Sequence, residues 1–229
     1  MRLPREDLVF AAAQIEPTMI LRPLPEGWTL RGRRPEDVPA IVELMRRVYV
    51  APHTPEAVWP AATLMEHFQA FPEGQFTITD PYGRVVADST AMRVSSALAL
   101  RPHRWSELTA GGTLASHEPF GDAFYGVDIA VDPRFRGQGL ARHLYAARIA
   151  LAQRLGCRRF VAGARIPGYH KAMDHLSPDG YIQLVERRLI NDPTLSTQLR
   201  LGFSLRGLLP DYITDPESRN HAALIVMEL

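Results

Sequence analysis

Two glycines one residue apart stand in Arg134-Phe135-Arg136-Gly137-Gln138-Gly139-Leu140-Ala141-Arg142, between an apolar run and a helical pattern. That arrangement suits the binding of an anion by backbone amides. The first N–H groups of a helix have no intrahelical acceptor, and the macrodipole adds partial positive charge at the same end. Glycine lacks a Cβ, so a pyrophosphate can approach the chain closely, and Arg134, Arg136 and Arg142 supply charge around it. The same residues would otherwise make an ordinary strand-to-helix turn with solvated arginines.

Two other phosphate motifs do not fit. A P-loop needs Lys-Ser or Lys-Thr after its last glycine, but the only lysine is Lys171, followed by Ala172. A dinucleotide fingerprint needs a third small residue where Arg142 stands, which is too bulky for close helix–strand contact. ATP-type phosphate binding is therefore the weakest of the functional readings.

The elements that must position the turn are legible around it. Tyr125 to Val131 reads as a strand ended by Asp132-Pro133, and Leu140 to Leu155 repeats apolar residues at helical spacing. Trp28 to Arg31 predicts a first strand, and a helix follows Arg33-Arg34-Pro35 with Ile41, Leu44, Met45 and Val48 on one face. A second helix is predicted from Pro55 to about Phe71, interrupted near Pro60. Gln75 to Thr79 and Arg84 to Val94 flank Asp80-Pro81-Tyr82-Gly83 as a hairpin. Residues 96–122 read as an inserted loop with a short helix at Trp105 to Leu108, the kind of loop that touches substrate. Arg159 to Ala164 is a strand, Pro193 to Leu201 a helix, and Phe203 to Leu209 with Ala222 to Leu229 the last two strands. Residues 1–27 are read as an extension, with a short helix from Arg5 to Ile15, that packs on the domain at 28–229 or on a second copy in a homodimer.

Composition bounds the rest. A chain of 229 residues with 46% hydrophobic content suits one domain with extensions. A formal net charge of +1 argues against a nucleic-acid surface. The scarcity of lysine, with many Ala, Leu and Pro, points to a GC-rich bacterial source. Cys157 is the only cysteine, which leaves no intrachain disulfide and fits a reducing cytoplasm. The run Leu8 to Ala13 is too short, and too acidic at its front, for a signal peptide, and no segment approaches a membrane span. His117, His170 and His175 lack ligand-like spacing, so no metal is assigned.

The glycine stretch resembles motif A of the GNAT acetyltransferase superfamily, Arg/Gln-x-x-Gly-x-Gly/Ala, in two overlapping frames: Arg134-x-x-Gly137-x-Gly139 and Arg136-x-x-Gly139-x-Ala141. Asp128 to Pro133 is similar to that family's fourth strand and its exit. Asn191, Gly202 and Phe203 fall at the spacing of its later motif. The resemblance implies an α/β (α+β) fold: a mixed, mostly antiparallel sheet of about seven strands with helices on both faces, splayed at its fourth and fifth strands. It also implies acetyl-CoA as cosubstrate, with no metal, and an amine acceptor, small molecule or peptide. The coenzyme site would then comprise Ile129, Ala130, Val131, Arg134, Arg136, Gly137, Gln138, Gly139, Leu140, Ala141, Arg142 and Asn191. The strings Gly163 to Tyr169, Asp192 to Leu195 and Leu208 to Tyr212 look like acetyltransferase modules sometimes joined to carbon–nitrogen hydrolase domains.

Acetyl transfer to an amine needs a base for the ammonium proton, a donor for the developing oxyanion and a proton for the departing thiolate. In the resembled family a tyrosine four residues before the Gly of Gly-Phe gives that proton; here Gln198 stands there. Tyr169 is the first substitute and His170 the second. Asp128, with Asp122 or Glu118 before it, is the candidate base, and strand alternation would put Asp128 on one face with Gly126 and Ala130. The function expected is direct N-acetyl transfer from acetyl-CoA to a primary amine. The alternative is a non-catalytic acyl-CoA-binding or interaction module, which Gln198 would favour.

Overall fold

Apolar residues alternate or recur along this chain so that nearly every element has one face to bury, and a single sheet receives most of them. The computed structural model describes residues 20–50 and 58–229. The expected helix from Arg5 to Ile15 lies outside them, as does the start of the second expected helix. In chain order the elements are β1 (Ile20–Pro23), β2 (Thr29–Gly32), α1 (Val38–Val48), α2 (Ala61–Ala70), β3 (Phe76–Thr79), β4 (Val85–Val94), α3 (Ser96–Ala99), α4 (Trp105–Leu108), β5 (Ala123–Val131), α5 (Leu140–Arg154), β6 (Arg159–Arg165), α6 (Pro178–Glu186), α7 (Leu195–Arg200), β7 (Ser204–Leu209) and β8 (Ala222–Glu228).

The strands form one mixed sheet in the order β1-β2-β3-β4-β5-β6-β8-β7. Every neighbour pair is antiparallel except β5 and β6. The seven expected strands are present, and an eighth, β1, is added at the edge by part of the segment read as an extension.

One core lies on each face. On the first face α5 lays down Leu140, Leu144, Ala147 and Leu151, spaced one turn apart, against Phe160 and Ile225. Helix α6 joins them through Tyr181, Ile182 and Val185. On the second face Ile41, Leu44 and Met45 of α1, Leu64 of α2 and Trp105 of α4 cover Tyr125, Val161 and Val226. The predicted insertion therefore carries two short helices, one of which is a structural cover for the sheet. Helix α6 corresponds to none of the predicted elements.

Sheet geometry creates the site. β5 and β6 pair only over Ala123↔Arg159 to Gly126↔Ala162 and then part, β5 remaining with β4 to Val131 and β6 with β8 to Arg165. Past Gly126, the β6-facing edge of β5 has no strand partner. Between Thr90 and Ala91 of β4 the register with β5 shifts, leaving Val127 as an extra residue. That bulge resets the alternation of side chains. Tyr125, Val127 and Ala130 face the second core, whereas Phe124, Ile129 and Val131 face the first. Asp128 thus stands on the face of Ala130 and Val127, and not, as plain alternation predicts, on the face of Gly126.

Candidate active site

The strand parting opens into a cleft of about 740 Å³ that runs from the glycine turn to the second core. At its outer end the turn has the backbone an anion site needs. Gly137 (φ +79°) and Gly139 (φ +84°) both adopt the left-handed conformation, and a Cβ at either would meet no atom within 4 Å. Glycine is therefore demanded here by backbone conformation, and the space beside it is open. Arg142 N–H donates to Gly139 O at 2.9 Å, so the amides just ahead of it lack intrahelical acceptors. Helix α5, with fifteen residues, is long enough for its dipole to matter at that end. These features fit the pyrophosphate of a CoA thioester.

The predicted coenzyme residues divide into groups. Ile129, Val131, Arg136 and Ala141 line the cleft, and Gly137, Gln138 and Gly139, between the last two, are exposed. Leu140 and Ala130 are buried in the two cores. Arg142 is exposed on the first turn of α5. Arg134 folds back on Asp132, with its Nη2 donating at 2.8 Å and its Nε at 3.0 Å. Asp132 also accepts from Arg47 Nε at 3.0 Å, and these cations hold its carboxyl well below the usual range. Asn191 is exposed and away from the cleft wall. Its neighbour Asp192, fully buried, does the capping: it accepts from the amides of Thr194 and Leu195 at 2.8 Å and of Gly168 at 2.9 Å, and from Tyr181 Oη at 3.0 Å.

Of the predicted catalytic residues, only Asp128 reaches the cleft. Tyr49 donates its hydroxyl to Asp128 Oδ1, and Oδ2 has no partner. Burial, with Asp88 nearby, pushes the Asp128 carboxyl up to about 6 despite the Tyr49 hydrogen bond. Tyr169 is buried elsewhere: its ring packs on Tyr181 at 5.4 Å and its hydroxyl donates to Leu176 O at 3.0 Å. His170 is exposed, with Nδ1 2.6 Å from Pro167 O. Neither lines the cleft. Asp122 caps α3, accepting from the Ser96 amide at 2.6 Å and its hydroxyl at 2.9 Å. Glu118 is likewise not part of the cleft wall. Cys157 is buried, which raises its thiol pKa, and lies outside the cleft.

Several cleft contacts carried no usable sequence signal, among them the partner of Gln198. Gln198 lines the wall and donates Nε2 to the Tyr145 hydroxyl oxygen at 2.8 Å. Tyr145 comes from α5, 53 residues earlier in the chain, and no motif joins the two. Trp59 and Trp105 stack at 6.0 Å on the second-core side, where Trp105 Nε1 donates to Val127 O at 3.2 Å. Tyr212 and the Arg165–Asp215 pair, at 2.7 Å, close that end. Arg148 is different, since an arginine inside the apolar stripe of α5 is visible in the sequence as an anomaly.

Among the described residues there is no group of three or more His, Cys, Asp or Glu that could hold a metal, and no helix long and apolar enough to cross a membrane.

A parallel strand pair that parts beside a glycine turn, with a cleft joining them, is the architecture that the family comparison then identifies. The model of the acetyltransferase (GNAT) family matches residues 39–174. The chain belongs to the GNAT acetyltransferase family. An uncharacterized N-acetyltransferase, YkwB of Bacillus subtilis (strain 168), is 31% identical to this GNAT chain over 200 residues, 87% of the chain and 88% of YkwB. The probable hydrolase YhcX of the same organism is 31% identical over 186 residues, 81% of this chain but 35% of YhcX, so the present chain spans about a third of that relative's length. Among solved structures, the GNAT-like decarboxylase GphF in complex with isobutyryl-CoA superposes with a TM-score of 0.74 at 24% identity, over 87% of this chain and 98% of that one. At that identity the likeness is one of fold, and it extends beyond the residues matched by the family model.

Proposed function

We propose that this protein transfers an acyl group, acetyl in the simplest case, from CoA directly to a primary amine. The observation that carries the reading is the continuity of one cleft from Arg136 and Ala141, which flank the glycine turn, through Ile129 and Val131 to Asp128, whose Oδ2 has no partner. On this reading the amides opening α5 and the side chain of Arg136 hold the pyrophosphate, and the free edge of β5 past Gly126 receives the pantetheine arm and offers N–H donors to the oxyanion.

Asp128 is the base. With its carboxyl near 6 it is ionised at neutral pH yet accepts a proton about a hundredfold more readily than an ordinary aspartate. It takes one proton from the ammonium form of the acceptor, whose nitrogen then forms the C–N bond as the C–S bond breaks. Tyr145 supplies the thiolate proton and is restored by the second proton, which the nitrogen sheds as the amide forms, so the net proton released is the one held by Asp128. Because Gln198 occupies an acceptor position on the Tyr145 oxygen, the hydroxyl hydrogen is left to point elsewhere in the cleft. Gln198 thus positions a donor in place of being one, and the missing tyrosine at 198 does not imply an inert protein.

The test is release of free CoA thiol from acetyl-CoA in the presence of a panel of primary amines and peptide N-termini. Amine-dependent release supports the enzyme. Saturable coenzyme binding with no release across the panel would favour a binding module.

A further inference from the structure

Arg148 is only 2% exposed, yet it forms part of the cleft wall. Its guanidinium lies over the rings of Phe160 and Tyr145, at 4.9 and 5.4 Å, and Nη2 donates to Thr90 O at a long 3.3 Å. Nε has no hydrogen-bond partner, and among the described residues no carboxylate stands within ion-pair distance of it. Arg33 shows what a structural arginine looks like in this fold. Equally buried, it is held by both oxygens of Asp88 and by Thr90 Oγ1 at 2.7 Å. A guanidinium stays charged when buried, and a buried charge without a counter-ion is strongly disfavoured. Asp128 and Asp88 act on Arg148 only through space, so the folded chain leaves it without a hydrogen-bonded carboxylate.

Its place says where that partner comes from. Arg148 lies one turn beyond Tyr145 on α5, away from the glycine turn, and it packs against Gly126 at the point where β5 and β6 part. A Cβ at Gly126 would stand 2.5 Å from Arg148 Nη2, so the absence of a side chain there makes room for the guanidinium. We propose that Arg148 recognises a carboxylate at the inner end of the cleft, as planar guanidinium groups do by paired hydrogen bonds. This rests on the coenzyme orientation proposed above, in which groups beyond Tyr145 belong to the acyl chain or the acceptor. The carboxylate belongs either to the acyl group, making the donor a CoA mono-thioester of a dicarboxylic acid, or to an acceptor that carries its amine and carboxylate together.

The experiment has two arms, both on the full chain. Calorimetry compares the affinities of acetyl-CoA, malonyl-CoA and succinyl-CoA; separately, transfer from acetyl-CoA is compared for amino acids and the matching carboxamides. The expected result is a preference of at least tenfold for the carboxylate-bearing member in one arm, which identifies the source. That ratio should fall to about one in Arg148→Met and be partly restored in Arg148→Lys. Absence of a preference in both wild-type arms, or a preference unchanged in Arg148→Met, overturns the proposal. If the methionine variant does not fold, the wild-type ratios alone decide. Failure of every CoA thioester to bind would overturn the coenzyme reading, and the proposal with it.

Discussion

The Tyr145 hydroxyl oxygen accepts a 2.8 Å hydrogen bond from Gln198 Nε2, joining the helix that follows the glycine turn to the helix that in this family commonly carries the proton donor. On the proposed mechanism the donor stands on the first of these helices and not the second, and the hydrogen bond from Gln198 orients it.

Tyr145→Phe is accordingly expected to lower kcat by about a hundredfold, within the usual range for loss of a positioned acid, with acyl-CoA affinity changed by less than about threefold. Gln198→Leu should fall between the two, because the hydroxyl is kept but no longer oriented. Steady-state kinetics with a directly measured Kd separate the effects; equal kcat in Tyr145→Phe would remove the residue from the mechanism.

At the glycine turn, Gly139→Glu should abolish detectable acyl-CoA binding by placing bulk and negative charge beside the pyrophosphate site. The φ of +84° adds strain of about 1–2 kcal/mol for a residue with a Cβ, so Gly139→Asn, which tolerates that conformation, separates strain from charge. The asparagine variant should fold and bind the coenzyme more weakly than wild type but measurably. Circular dichroism and calorimetry on the pair decide between an anion cradle and a mere turn.

Asp128 links activity to pH with a definite sign. As a base it must be ionised, so kcat/KM should rise with pH through about 6 and lose that limb in Asp128→Asn, along with most of the rate. Its folded pKa of about 6 lies above the ordinary 3.8, so the native state holds a proton that the unfolded chain has released. Stability contributed by this group therefore falls as pH rises from about 4 to 6. Relative to wild type, Asp128→Asn should gain up to about 3 kcal/mol across that window, read from denaturant melts at pH 4 and pH 7. A constant difference would show that Asp128 is not perturbed.

The pair Arg33–Asp88 is buried on both sides and ties the residue just past β2 to β4, with Thr77 Oγ1 donating to Asp88 at 2.7 Å and Arg33 Nη1 lying 3.2 Å from His67 Nδ1. Burial and the Arg33 charge push the His67 ring down to about 3, so it stays neutral and donates to Gly112 O from Nε2, 2.7 Å away. Removing one partner strands the other charge. Asp88→Ala should cost about 3–5 kcal/mol of stability, seen as a large drop in Tm.

Tyr169→Phe, by contrast, loses only the hydroxyl bond to Leu176 O. It should cost about 1 kcal/mol and leave kcat unchanged at every pH; a slowed enzyme would return Tyr169 to the chemistry.

Local sequence determined the parts of this protein whose physics is local. The period of apolar residues from Leu140 onward, the turn at Asp80 to Gly83 and the glycine pair at 137 and 139 each impose their conformation within a few residues, and the strands, the long helix and the glycine turn could be read from them. Tertiary structure decided what depends on residues far apart in the chain. The bulge at Val127 arises from the pairing of β5 with β4, and it turns Asp128 to the face of Tyr49. Asn191 and Tyr169 have suitable types and spacing, yet one ends up exposed beside its capping neighbour and the other is packed on Tyr181. Tyr145 and Gln198 become partners, and Arg148 becomes a buried cation with no hydrogen-bonded carboxylate, only when helices distant in sequence close on a sheet that has parted. Spacing along the chain carries the conformation of each element, whereas the choice among candidate acids, bases and charges is made by what the assembled elements bury and leave open.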